Sequence, residues 1–348
     1  MPFTIIRNDI TKVHADAIVN TANPKPIIGG GTDSAIYRAA GPVKLLEERK
    51  KIGYIPIGEV AVTKAFALPA RYIIHTVGPV WIDGNHGEFD DLASCYRKSL
   101  LIAEQLGCKT IAFPLISTGT YGFPKEKALS IALDEIRHFL EDSDNEMQII
   151  LVVFDKKSFD ISSGLISDIN QFIDDHYVGR AEALEYRYGR QEHRPGRFSA
   201  EMNEEEDTLQ LHPMNAPSAG YFSTTEHLED VMKKLEESFS THLLKLIDER
   251  GYTDVEVYKK ANLDRKLFSK IRCNKNYIPK KKTALALAIA LELNLDETTD
   301  LLGRAGIALS PSSKSDLIVE YCIAHKIFSI YDINALLFEY DQPCLGGQ

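Results

Sequence analysis

Residues 16–42 read Asp16-Ala17-Ile18-Val19-Asn20-Thr21-Ala22-Asn23-Pro24-Lys25-Pro26-Ile27-Ile28-Gly29-Gly30-Gly31-Thr32-Asp33-Ser34-Ala35-Ile36-Tyr37-Arg38-Ala39-Ala40-Gly41-Pro42. Ala17 to Asn20 is a short β-rich run, and Thr32 to Ala40 has helical spacing that Gly41-Pro42 ends. Three glycines between a strand and a helix N-terminus let the backbone approach a ligand closely. The unpaired N–H groups of the helix then favour an anion such as a diphosphate. A second loop of this kind, Ser117-Thr118-Gly119-Thr120-Tyr121-Gly122-Phe123-Pro124, follows the apolar run at Ile111 and precedes another helical pattern. Two such loops at strand C-terminal ends point to one cleft. Either loop alone also reads as a tight βα turn. Neither a Walker A sequence nor GxGxxG is present.

Outward from this stretch, β-rich runs at 3–7, 17–20, 59–63, 72–77, 110–116 and 148–154 alternate with helical patterns at 32–40, 43–51, 90–106, 125–140 and 161–172. Several of the six runs are continuously apolar, the signature of a sheet covered on both faces. The alternation predicts an α/β fold, a three-layer α/β/α domain over residues 1–178. From 179 to 224 the periodicity fails, and Glu204-Glu205-Glu206-Asp207 and His212-Pro213-Met214-Asn215-Ala216-Pro217 read as a flexible linker with at most a short helix at 181–188. After Thr225 a helical face returns through Leu228, Met232, Leu235, Phe239, Leu243 and Leu246, with no convincing strand beyond it. Residues 225–348 are therefore expected to form a separate all-α domain.

With 348 residues, 44% hydrophobic and 26% charged, the chain has material for two or three cores, which excludes wholesale disorder and disulfide-stapled miniproteins. No signal peptide and no run of about 18 apolar residues is written in it. A cytoplasmic protein without a membrane partner is the expectation. The five cysteines, Cys95, Cys108, Cys273, Cys322 and Cys344, are scattered, with no CxxC pair, so they are expected to pack as small apolar groups and to hold no metal. Net charge is −10, yet residues 253–283 carry +7. Such local basicity draws polyanions.

Asn8-Asp9-Ile10-Thr11, the strand end at 16–23, the glycine loop, Leu68-Pro69-Ala70, Ile74-His75-Thr76-Val77-Gly78-Pro79 and Ile116-Ser117-Thr118-Gly119-Thr120-Tyr121-Gly122 together resemble a macrodomain of the MacroD type. The resemblance spans residues 1 to about 176 in the family's order. It implies ADP-ribose binding and hydrolysis of the ester joining ADP-ribose to Asp or Glu side chains, or to acetate in O-acetyl-ADP-ribose, without a cofactor. A non-catalytic ADP-ribose reader acting through the helical domain is the alternative. By the same resemblance Asp9 accepts from the adenine amino group beside the Ile10 backbone, and Asn23 bonds the distal ribose next to Ala22. Gly29, Gly30, Gly31 and Thr32 wrap the diphosphate, Ser117, Thr118, Gly119 and Thr120 enclose it from the other side, and Tyr121 packs on the distal ribose. Asp33, in the first helical turn, has the position of a residue that orients or deprotonates water, and Asn23 with Asp33 forms the catalytic pair. Asn8, Thr32 and Tyr37 depart from the family pattern. His75, inside an apolar strand, reads as structural.

In the second half, Thr253 to Arg272 reads as two short amphipathic helices joined at Asn262-Leu263-Asp264, and residues 239–309 resemble the Cro and phage-repressor helix-turn-helix group. That resemblance places Arg265, Lys266, Ser269, Lys270 and Arg272 where phosphate or base contacts are made. A helical protein-interaction module with a solvated basic face is the other reading, so either DNA or a protein is the expected partner.

Overall fold

The computed structural model describes residues 2–142, 146–154, 165–166, 168–173 and 237–346. Six strands, β1 (Phe3–Arg7), β2 (Ala17–Thr21), β3 (Val60–Lys64), β4 (Tyr72–Thr76), β5 (Thr110–Pro114) and β6 (Gln148–Val153), form one sheet in the order β1-β6-β5-β2-β4-β3. All neighbours run parallel except β3, which is antiparallel to β4. Helices cover both faces, which is why the central strands are apolar without alternation. On one face α1 (Gly31–Ala40) and α2 (Pro42–Ile52) bury Ile36 and Leu45 against Ile18, Ile73 and Ala112. On the other, α3 (Glu88–Gln105) and α4 (Lys125–Asp142) bury Leu100 and Ile136 among Val19, Ile74, Phe113 and Leu151. Gly41, at φ +102, ends α1, and Pro42 starts α2 at the position where its missing N–H costs nothing.

The second half is helical, as expected: α5 (Phe239–Arg250), α6 (Asp254–Lys260), α7 (Arg265–Cys273), α8 (Lys281–Ala290), α9 (Leu295–Gly303), α10 (Lys314–Ala324) and α11 (Ile330–Glu339). Side chains of Ser238, Thr253, Asp264, Asn294, Ser313 and Ser329 cap six of these helices, with full capping boxes at Thr253/Glu256 and Asn294/Glu297. Helix α8 is buried from Thr283 to Ala290 and serves as the central helix around which the others pack. Phe239, Leu243 and Leu246 are buried as their spacing predicts. Leu228, Met232, Leu235, the linker at 179–224 and the helix at 181–188 lie outside the described residues.

The helical half is not a detached body: residues 1–173 and 238–348 form one compact unit. Its docking point is the outer edge of β1. Asn262, in the left-handed conformation at φ +52 and fully buried, donates from Nδ2 to the Phe3 carbonyl at 3.0 Å and accepts from the Phe3 N–H at 3.0 Å. One side chain thus supplies the pairing that a seventh strand would have given an otherwise open edge. The Phe3 and Tyr331 rings meet at 5.5 Å, Lys259 Nζ donates to the Glu141 carbonyl, and Arg7 pairs with Asp341 at 3.1 Å.

Candidate functional site

A cleft of about 330 Å³ opens at the C-terminal ends of β2, β5 and β6, between the two loops singled out in the sequence. Gly30 is the N-cap of α1 and offers no side chain, so the N–H groups of the first turn remain available to a ligand in the cleft. Gly31 sits at φ +59, which favours glycine, and a Cβ on Gly29 would lie 3.2 Å from Asp33 Oδ2.

Asp33 lines this cleft but is only 2% exposed. Its Oδ1 accepts from Asn20 Nδ2 at 2.6 Å and its Oδ2 from the Gly29 N–H at 2.5 Å. Burial pushes its carboxyl up from the ordinary range, against the pull of these two hydrogen bonds and the Arg49 charge. Both oxygens therefore already hold the glycine loop and its underpinning. The sequence assigns Asp33 to water activation; the geometry gives it a prior task, fixing the backbone that would meet the diphosphate.

Asn20 continues this network inward. Its Nδ2 lies 3.1 Å from His75 Nδ1, and Thr63 Oγ1 lies 2.9 Å from His75 Nε2. With the amide donating to Nδ1, the imidazole donates from Nε2 to the threonine hydroxyl. Burial, followed by the Arg49 charge, pushes the His75 pKa down to about 3, so the ring is neutral and structural, as its sequence context indicates. Because the unfolded chain protonates this histidine near pH 6.5 and the folded chain does not, stability falls as pH drops from about 6.5 towards 3. The slope from this one group is about 1.4 kcal/mol per pH unit. Urea unfolding of the wild type and of His75→Gln is expected to show their difference narrowing over that window; a constant difference would remove the histidine from the acid response.

Opposite the glycine loop, Ser117 is strained at φ +64 and its buried Oγ has no hydrogen-bond partner among the described residues. Gly78 backs it: a Cβ there would stand 2.1 Å from that Oγ, so only glycine fits. Thr118, Gly119, Thr120 and Tyr121 complete this wall, with the Tyr121 carbonyl tied to the Trp81 N–H at 2.8 Å. Asn23 also lines the cleft, its Oδ1 accepting from the Lys25 N–H at 3.3 Å.

The macro domain family pattern matches residues 19–132. A macro domain-containing protein of Methanosarcina mazei is 53% identical over 154 residues, 44% of this chain and 82% of that protein. O-acetyl-ADP-ribose deacetylase 1 of Pantoea vagans is 46% identical over 167 residues, 47% of this chain and 98% of that protein. The chain belongs to the macrodomain family. A solved macrodomain of Oceanobacillus iheyensis with ADP is 40% identical and covers 45% of this chain and 85% of that one, with a TM-score of 0.43.

The macrodomain brings together Asn23, Gly29 to Asp33 and Ser117 to Tyr121 in one cleft, and leaves three expected residues outside its lining. Asp9 caps a single 3₁₀ turn, Ile10–Lys12, by accepting from the Thr11 N–H and hydroxyl at 2.9 and 2.7 Å; Ile10 and Ala22 are buried. The sequence missed Lys125, which opens α4 and lines the cleft, and Phe154, 71% exposed at the cleft's end beside Val152 and Val153. An aromatic closing an apolar strand was the available signal for Phe154. Asp83, His86 and Glu88 bring ligand-type atoms within 4.8 Å of one another. Glu88 already accepts from the N–H groups of Ile82, Asp83, Gly84 and His86, and so braces its own loop.

In the helical half, α6 and α7 meet at Asn262 as the sequence indicates, and Arg265, Lys266, Ser269, Lys270 and Arg272 are all exposed. Arg272 is paired with Asp254. All five thiols are free; Cys95, Cys108 and Cys322 are buried as small apolar groups, whereas Cys273 is exposed, which corrects the expectation for that residue.

Proposed function

We propose that the macrodomain hydrolyses the ester between ADP-ribose and a carboxylate, on Asp or Glu side chains or in O-acetyl-ADP-ribose. The observation that carries this reading is one cleft lined both by the α1 N-terminus, which no side chain caps, and by Ser117, whose buried hydroxyl has no hydrogen-bond partner among the described residues. The name of the Pantoea vagans relative supports the same chemistry. The diphosphate takes the N–H groups at Gly31 and Thr32, with Lys125 as counter-charge. Phe154 and the Val152–Val153 end receive the apolar faces of the adenine, and Asn23 and Tyr121 receive the distal ribose. Where the acyl group sits on the anomeric oxygen, a water held there attacks the anomeric carbon, the carbon–oxygen bond to the carboxylate breaks, the carboxylate leaves with the electron pair, and the water's proton passes to an acceptor in the site or to solvent. An acetyl on another ribose hydroxyl is released by attack of the water on its carbonyl carbon, the ribose oxygen leaving with the proton.

Incubation of the full chain with an Asp/Glu-ADP-ribosylated protein, and separately with O-acetyl-ADP-ribose, is expected to release free ADP-ribose. Binding of ADP-ribose by calorimetry without any release would make the protein a reader instead. The exposed Arg265, Lys266, Ser269 and Lys270 favour a further reading for the helical half, in which this face docks duplex DNA through its phosphates. A gel-shift titration of the full chain at low salt tests it, and no shift would leave a protein partner as the alternative.

A further inference from the structure

Arg49, on α2, is the largest fully buried side chain of the described residues, 1% exposed. No carboxylate among the described residues lies within ion-pair distance of it. Its guanidinium instead donates to three backbone carbonyls: Nη1 to Gly53, and Nη2 to Asn23 at 3.1 Å and Pro24 at 3.2 Å. The Asp33 carboxyl attracts the charge from farther away. Taking a cation out of water without a paired anion is costly, and a neutral or apolar residue would hold α2 to the sheet at less expense. Leu45 already anchors that helix in the core, and the Pro24 carbonyl already accepts from the Ile55 N–H at 2.9 Å. The guanidinium therefore does something that packing alone does not.

Its two consecutive carbonyl partners locate that role. Holding the oxygens of Asn23 and Pro24 fixes the peptide planes on both sides of Pro24, and with them the direction in which Asn23 leaves the chain at the cleft wall. Pro24 and Pro26 restrict the same segment through their fixed φ angles. The Gly53 carbonyl, at the C-terminal end of α2, gives the fork its third fixed point. A planar guanidinium holds three carbonyls in a fixed fork, whereas the three donors of an ammonium sit at one point on a flexible stem.

We propose that Arg49 is a positioning residue, a buried three-carbonyl clamp that sets Asn23 against the distal ribose; this rests on the reading of the cleft as an ADP-ribose ester hydrolase. It does not touch the ligand. Its effect appears in the reacting end of the site and leaves the diphosphate end, pinned by Asp33, in place.

The test uses the full chain as wild type, Arg49→Met, Arg49→Lys, Asn23→Ala and the Arg49→Met/Asn23→Ala double variant. Each is checked for a cooperative thermal transition and assayed on O-acetyl-ADP-ribose and for ADP-ribose affinity. Arg49→Met is expected to lower kcat about thirtyfold while the ADP-ribose Kd changes less than about threefold, the split that misplacement at the reacting end produces. Arg49→Lys, which keeps the charge but not the fork, is expected to recover only part of the kcat. In the Asn23→Ala background, Arg49→Met is expected to change kcat by less than about twofold, because no side chain is left to position. Additive effects of the two substitutions, or an Arg49→Met chain with wild-type kcat, overturns the inference. So does equal loss of kcat and affinity with a lowered melting temperature, since that is the mark of a structural residue. If the wild type binds ADP-ribose without hydrolysing it, the hydrolase reading fails and takes the role of Arg49 at the reacting end with it, whereas a hydrolysing wild type with additive substitutions overturns Arg49 alone. A wild type that does not bind ADP-ribose removes both.

Discussion

An Asp33→Ala chain is expected to lose about a hundredfold or more in kcat/KM on O-acetyl-ADP-ribose and, unlike the loss of a residue that only activates water, to bind ADP-ribose about tenfold more weakly. The reason lies in what the carboxylate already holds. Removing it strands the half-buried Gly29 N–H and one N–H of the buried Asn20 amide, both bonded to it within 2.6 Å. Each unsatisfied buried donor costs about 1–3 kcal/mol, which the glycine loop relieves by moving. That loop carries the N–H groups offered to the diphosphate, so affinity falls with turnover. Asp33→Asn discriminates further: its side chain has one acceptor oxygen for two donors, so one of them must face an NH₂ group. It is expected to lie near the Ala variant, although its volume is that of the wild type. Calorimetry with ADP-ribose and initial rates on the ester separate the two effects. Unchanged affinity with lost turnover would return Asp33 to a purely chemical role, and unchanged turnover would remove it from the mechanism.

The parts of this fold that the sequence announces are those encoded locally. Strand runs of continuous apolar residues, the Gly41-Pro42 break and the two glycine-containing loops depend on period and turn chemistry within a few residues, and each appears within a residue or two of its expected place. What a side chain faces is not local. Asp33 was legible as a first-turn helix residue, but the direction it takes, back into its own loop, depends on Asn20 lying beneath it in the buried sheet. Arg49 carried no signal at all: in Glu47-Glu48-Arg49-Lys50-Lys51 it reads as one more charge on a solvated helix, and only the position of Asn23 above α2 makes it a buried donor. The basic run at 253–283 was legible as charge, yet part of it is spent inside the protein. Lys259 bonds the Glu141 carbonyl, Arg272 pairs with Asp254, and Lys281 pairs with Asp316. The face left to a polyanion is narrower than the count of lysines and arginines suggests.

Replacing Asn262 is expected to destabilise the whole unit while sparing the cleft. Its turn conformation was legible; its partner, Phe3, stands 259 residues away, beyond the reach of any local pattern. Asn262→Ala removes both hydrogen bonds from a buried strand edge and leaves a donor and an acceptor unpaired, about 1–3 kcal/mol each. Alanine also enters the left-handed region at φ +52 less readily than asparagine, about 1 kcal/mol more. Asn262→Gly carries no such strain, so the glycine variant isolates the loss of the Phe3 pairing, expected at about 2–5 kcal/mol in urea unfolding. The cleft lies at the opposite, C-terminal ends of the strands, so ADP-ribose affinity of either variant, measured below its unfolding transition, is expected within about twofold of wild type. An Asn262→Gly chain as stable as wild type would mean that the edge of β1 is satisfied by other means and that the helical half is held by its apolar contacts alone. If the loss appears as expected, one amide fixes the α6–α7 turn to the sheet, and any partner taken by the exposed face of α7 is held at a set orientation to the ADP-ribose cleft.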